Sequence, residues 1–368
     1  MTAPRFYLDA NATEPLRAEA REAMLAALDT LGNPSSIHGE GRAARRLLED
    51  AREAIAGRFG GAARNLVFTA GGTEADALAI HGLGQGRRLL RGATEHAAVV
   101  AAAGPDAGVI PVDPSGLIRL DALEAMLRDS PALVSIMLAN NETGTIQPVA
   151  EIAVLCHAAG ATLHVDAVQG AGRLACSLST LGADAISLSA HKLGGPPGVG
   201  ALLLSREAAD RLSPLIAGGG QERGRRGGTH ALPAILGFAA AGLAAQLEEA
   251  ARLAPLRDAM EAAAREAGAI VVSQGAPRLP NTTCLALPGV RAEGQVIALD
   301  LAGLAVSAGS ACSSGKVARS HVLEAMGLGA LAGEAIRVSL PWNGTEAHVA
   351  AFIQAYREMA ARMRRQAA

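Results

Sequence analysis

The chain has 368 residues, half of them apolar, enough to bury a sizeable core and to form two domains, or one large domain with a smaller partner. Its 33 basic and 35 acidic residues are interspersed and leave a formal charge of −2, so no electrostatic footprint for DNA or RNA appears. With one Trp, two Tyr and five Phe it also lacks the aromatic platforms on which single strands stack.

In chain order, the opening MTAPRFYLDANATEP has no continuous apolar stretch and already carries Asp9, which is unlike a signal peptide. Segment 14–60 reads as two helices around the loop GNPSSIHGEG, with Met24, Leu25 and Leu28, then Leu47, Leu48 and Ile55, at helical spacing. Short apolar runs follow: NLVFTAG (65–71), LVSIMLANN (133–141), TLHVDAV (162–168), DAISLSAHK (184–192) and GALLLS (200–205). They are bounded by Gly, Asn or Pro and separated by amphipathic stretches, which predicts a mostly parallel sheet covered by helices, an α/β fold. The uncharged run Gly227–Leu247 contains His230, Pro233 and Gln246, so a buried helix is expected there rather than a membrane span. Beyond Glu248 come a charged helix (251–267) and mixed signals, read as a smaller α+β domain. The four cysteines show neither paired nor metal-type spacing, so reduced thiols in a cytoplasm are expected.

Ligands of such sheets sit at the carboxyl ends of the strands. Four polar clusters fall there: GGTE, NNET, DAVQ and SAHK, each directly after an apolar run. In GGTE, Gly72 and Thr73 open a helix and offer backbone N–H groups to an anion, although such turns also simply cap helices. Ser189 and His191 flank Lys192 and add donors. Asp166 ends a strand and needs a cation, a strong donor or an Arg partner if buried; a protonated pyridine nitrogen is one such partner. His96 has the chemistry to stack on an aromatic ring or shuttle protons near neutrality, or else is structural. Arg337 has the fork for a substrate carboxylate, as does any arginine for an ordinary ion pair.

Lys192 and Lys316 are the only lysines beside 31 arginines. Where charge alone would suffice this chain uses Arg, so a surviving lysine points to amine chemistry that Arg cannot perform. Cys312 lies in VSAGSACSSGK, a run of small residues read as an exposed, mobile loop. Cys156 and Cys284 read as buried and inert, and Cys176 as part of a turn. No G-x-G-x-x-G stands between a strand and a helix, which argues against a Rossmann nucleotide site.

Ten motifs in register, from YLDANAT (7–13) through GNPSSIH, FTAGGTEADALAI, ATEHAAV, NNETGTIQP, HVDAVQ, SLSAHKLGGPPGVGAL, GGGQERGRRGGT and SAGSACSS to IRVSL (336–340), resemble the cysteine desulfurases of the nitrogen-fixation and iron–sulfur-assembly type. These are class V, fold-type I enzymes that use pyridoxal 5'-phosphate (PLP). The resemblance implies a large domain (15–255) with a mostly parallel seven-stranded sheet, and a small domain from 1–14 and 256–368.

It implies that Lys192 holds PLP and moves the substrate Cα proton, with His96 stacked on the ring and assisting. Asp166 would pair with the ring nitrogen and Gln169 with the ring hydroxyl. Gly72, Thr73, Ser189 and His191 would bind the phosphate with Thr229 of the partner subunit in a homodimer. Asn141, which would also touch the cofactor, and Arg337 would hold L-cysteine, with Asn33 assisting. Cys312 would take the sulfur as a persulfide for an acceptor protein, and would be the one contact to an iron–sulfur cluster; no resident metal is implied. Segment 312–322 has the longer loop of the assembly-type group, favouring cysteine over selenocysteine. Competing readings are a selenocysteine lyase, another class V PLP enzyme, or a weakly catalytic sulfur carrier. Two departures stand out: Glu14 occupies a position where the family has threonine, and no scaffold-docking extension follows ARMRRQAA.

Overall fold

A computed structural model describes residues 5–128, 131–309 and 319–367. The two expected N-terminal helices are Ala18–Leu28 and Gly39–Arg58. The second buries Ala44, Leu48, Ala51 and Ile55, one stripe at helical spacing, and both helices pack on the helix Leu232–Ala244. That third helix is the uncharged run of the sequence, and Leu232, Ile235, Phe238 and Ala241 are buried on it. Among the described residues no single helix is long and apolar enough to cross a membrane; one pair bent by 68° passes on length and composition alone.

The thirteen strands found among the described residues begin with β1 (Phe6–Tyr7). A seven-stranded sheet follows: β2 (Leu66–Thr69), β3 (Arg88–Gly92), β4 (Gly108–Ile110), β5 (Ala132–Met137), β6 (Thr162–Asp166), β7 (Ala185–Ser189) and β8 (Gly200–Leu204). Its order is β2-β8-β7-β6-β5-β3-β4. From β7 to β4 the neighbours run parallel, and β8 is antiparallel to both β7 and β2. Every residue of β5 to β8 is buried, as expected for strands covered by helices on both faces, and this is why they read as short, mainly apolar runs, with buried Ser135, His164 and Ser187 among them. The sequence reading contains no strand at β3 or β4. In β3, RLLRG, only Leu90 and Gly92 are buried, and its two arginines break the apolar run.

The last part of the chain builds β9 (Ile270–Val271), β10 (Thr282–Ala286), β11 (Leu304–Ala305), β12 (Ser307–Ala308) and β13 (Ala335–Ser339). Strands β12, β13, β10 and β9 form an antiparallel sheet in that order, and β1 pairs in parallel with β11. Leu8 is fully buried in the same core as Ile336, Val338, Phe352 and Tyr356, so the N-terminal segment belongs to this second core. The charged helix expected at 251–267 is Leu253–Glu266, preceded by a short helix Leu247–Ala251.

Candidate active site

A cavity of about 450 Å³ lies at the carboxyl ends of the parallel strands. Gly72 and Thr73 enter it after β2, His96 after β3, Asn141 after β5, Asp166 and Gln169 from β6, and Ser189, His191 and Lys192 from β7. The second sheet contributes Ser307 and Arg337, and the N-terminal segment contributes Asp9, Asn11 and Ala12. Ten of the sequence candidates thus meet in one place. Asn33 does not: it is exposed, absent from the cavity wall, and its Oδ1 accepts the Ser35 N–H at 2.9 Å. Thr229 is also exposed and outside this wall. Cys312 lies outside the described residues, but its neighbour Gly309 lines the cavity, and Ser320 beyond it donates to buried Glu142 at 2.5 Å.

Asp76 and Asp166 line the cavity, and buried Glu95 stands close to both. Asp166, Asp76 and Glu95 are all buried, and burial followed by their mutual repulsion pushes Asp76 and Glu95 well above the usual carboxylate range. Burial raises Asp166 as well, against an N–H from Val168 at 2.9 Å and the nearby His96 and Lys192. Among the described residues Asp76 Oδ1 and Glu95 Oε2 have no hydrogen-bond partner, and His164 Nε2 stands 3.7 Å from Asp76 Oδ1. Behind them His164 is fully buried between Ser135 Oγ (2.9 Å) and Ser187 Oγ (2.8 Å), and burial lowers it to about 3. A buried site with this much unmet acidity suits a ligand carrying a positive, N–H-bearing edge.

Other groups are set for anions. The helix Gly72–Leu83 starts at the cavity, and a Cβ on Gly72 would come within 2.8 Å of Val168 and 3.5 Å of Ser189. Glycine therefore leaves space and bare backbone where a phosphate is expected. Burial and the Lys192 charge lower His191 to about 4, leaving it a neutral donor. His96 caps the helix Ala97–Ala103; its Nδ1 accepts from Ala98 at 3.1 Å, so the neutral ring carries its proton on Nε2. Arg337 donates to Asp9 at 2.6 Å and to the Asn141 carbonyl at 3.1 Å, while its buried Nε has no partner among the described residues. Lys192 Nζ donates to the carbonyls of Asn11 and Ala12. Acid below, amine at the side, and an anion cradle at a helix start fit PLP.

The sequence reading missed Asp76, Asn11 and Asp9. Asp76 stands three residues after Thr73, one helical turn on, and that spacing was its available signal. Cys156, Cys176 and Cys284 are buried and free, and burial raises the first two to about 12. Cys284 is raised further still, also by burial. None of the three is a ready nucleophile.

The family model "Aminotransferase class-V" matches residues 6–352. A cysteine desulfurase of Cereibacter sphaeroides is 43% identical over 94% of this chain and 93% of its own length. An IscS-like cysteine desulfurase of Mycobacterium tuberculosis is 40% identical over 98% of both chains. Among solved structures, a NifS-like protein from Rickettsia africae superposes with a TM-score of 0.90 at 35% identity, covering 97% of this chain and 99% of its own. SspA in complex with cysteine matches with a TM-score of 0.81 at 31% identity, covering 91% and 98%. The chain belongs to the class-V aminotransferase family and groups there with the cysteine desulfurases.

Proposed function

We propose that the chain is a PLP-dependent cysteine desulfurase that converts L-cysteine to L-alanine and receives the sulfur on Cys312. The observation that carries the reading is the convergence of Lys192, Asp166, His96 and Arg337 on one cavity. PLP, when bound, supplies an electron sink that eases loss of the substrate Cα proton. Lys192 would hold the cofactor and carry that proton at Nζ. Asp166 would face the ring nitrogen, Gln169 the ring oxygen, and His96 the ring plane. Gly72, Thr73, Ser189 and His191 would bind the phosphate, joined by Thr229 of the partner subunit in a homodimer. Arg337, with its open Nε, and Asn141 would take the substrate carboxylate.

In the sulfur step a Cys312 thiolate attacks the substrate sulfur. An S–S bond forms as the C–S bond breaks, and the electron pair left on carbon is protonated to give alanine. Cys312 follows cavity-lining Gly309 by three positions in the chain. The short tether supports the role, which asks the thiol to meet substrate inside and an acceptor outside.

A sulfur-acceptor protein as partner, a homodimer and a cytoplasmic setting belong to the same proposal. Exposed Leu25, Leu28, Leu31 and Ile37, close together in the chain, support a self-contact. The division into a large domain (15–255) and a small one (1–14 with 256–368) is supported by two separate apolar cores, one drawn from residues 20–245 and the other from Leu8 and residues 253–360. The test is incubation of the PLP-loaded protein with L-cysteine, followed by mass spectrometry. One added sulfur on Cys312 and equimolar alanine are expected; alanine formed without sulfur on Cys312 would overturn the assignment.

A further inference from the structure

Gln169 stands at the cavity with both ends of its amide engaged. Its Nε2 donates to the Asn11 carbonyl at 2.9 Å, and its Oε1 accepts from Arg173 Nη1 at 2.6 Å. A guanidinium has donors and no acceptor, so the oxygen must face Arg173 and the NH2 must face Asn11 and the cavity. Asn11 uses one amide hydrogen; the second is left for whatever occupies the cavity.

Arg173 is itself held. Its Nη2 donates to Glu14 Oε1 at 2.9 Å, and the other Glu14 oxygen accepts the Trp342 backbone N–H at 3.1 Å. The two side chains are 6% and 4% exposed, so this is a buried pair whose charges and hydrogen bonds answer one another. Arg173 also reaches the Ala10 carbonyl at 3.4 Å and the Gln169 carbonyl at 3.3 Å, spanning the N-terminal segment and the turn after β6. Glu14, an unexplained departure at the level of sequence, thus has a partner.

We infer that Arg173, held by Glu14, is a positioning residue that fixes the Gln169 amide with its N–H toward the cavity, so that the site presents a donor to the anionic ring oxygen of the cofactor. The inference rests on the PLP reading. Without Arg173 only the Asn11 carbonyl holds the orientation, and a turned amide would offer its own oxygen, which an anionic partner repels. A purely structural Arg173 would stabilise the fold and leave this orientation to other contacts.

The test is a double-mutant cycle read as PLP affinity of the apo-protein by equilibrium dialysis, with the apo melting temperature measured alongside. Arg173→Met and Gln169→Leu are each expected to weaken PLP binding about tenfold, the scale of one charge-assisted hydrogen bond. The double variant is expected to be no weaker than Gln169→Leu alone, because Arg173 acts through Gln169. Arg173→Lys should restore part of the loss. If Arg173→Met does not fold, Glu14→Gln is run through the same cycle, with a smaller loss that again vanishes in the Gln169→Leu background. Losses that multiply in the double variant, or an unchanged affinity in the single, would overturn the inference while leaving the cofactor reading intact. A wild-type chain that takes up no PLP would overturn both.

Discussion

Lys192 Nζ donates to the carbonyl of Ala12 at 2.8 Å, across 180 residues of sequence. The amine in the cavity wall is therefore aimed by the N-terminal segment, whose own course is set by Leu8 in the second core and by pairing of Asp9 with Ser339. Lys192→Arg keeps the positive charge and the donors but not the amine chemistry. The variant is expected to lose the yellow colour of bound PLP and at least about a thousandfold in sulfide release, measured by absorption and a sulfide assay. Retained colour after gel filtration would count against Lys192.

Cys312→Ser separates the two halves of the reaction. The variant is expected to retain the visible absorption of bound PLP and its change on adding L-cysteine, and to lose sulfide release. Cys156, Cys176 and Cys284 are all buried with raised thiol values, so none substitutes for it. Full turnover in this variant would refute the persulfide route.

Arg337→Met removes the fork proposed for the substrate carboxylate and the ion pair it makes with Asp9. Loss of one charge-assisted pair is expected to lower kcat/KM for L-cysteine by about 10- to 100-fold, mostly through KM, with PLP uptake little changed. Steady-state kinetics beside a PLP titration distinguish this from general damage: a fall confined to kcat would argue against carboxylate binding.

Glu222 offers a stability test away from the chemistry. It is buried and takes paired hydrogen bonds from Arg52 at 2.7 Å, one from the Phe68 N–H at 2.9 Å, and contacts His230 at 2.6 Å. These contacts hold Glu222 and Arg223 in the left-handed region, at φ 50° and 59°, a cost the network offsets. Burial alone would raise the Glu222 carboxyl, but the Arg52 and His230 bonds bring it down to about 2. A carboxyl depressed in the folded state contributes stability that is complete above its unfolded value and lost as pH falls through its folded one. That contribution should disappear between pH 4.5 and about 2. Glu222→Gln leaves the buried Arg52 guanidinium with only the partly exposed Glu49 as counter-charge, and is expected to cost about 1–3 kcal/mol at neutral pH and to flatten this acid limb, as read by urea unfolding across pH. An unaltered acid limb would refute the assignment.

Much of the fold was legible because burial on both faces makes β5, β7 and β8 mainly apolar, with Leu163 and Val165 marking β6, and a polar cluster after such a run marks a strand end. Lys192, Asp166 and Asn141 were readable for that reason, whereas Cys312, read from the small residues around it, lies outside the described residues. Strands β3 and β4 were not: Arg88 and Arg91 hide the apolar period of one, and the other has three residues. Asp76 stayed hidden inside a helix, where a single carboxylate usually faces water.

The sequence by itself determined the α/β alternation, the strand-end clusters and the lone lysine at one of them, since these depend on neighbours a few residues away. Only the tertiary structure decided that Glu14 meets Arg173 across 159 residues, that Arg337 comes to rest on Asp9 across 328, and that three carboxyls crowd beneath one cavity. Those relationships come from how two sheets and an N-terminal strand pack together, and local periodicity carries no record of which distant side chains that packing brings within hydrogen-bond reach.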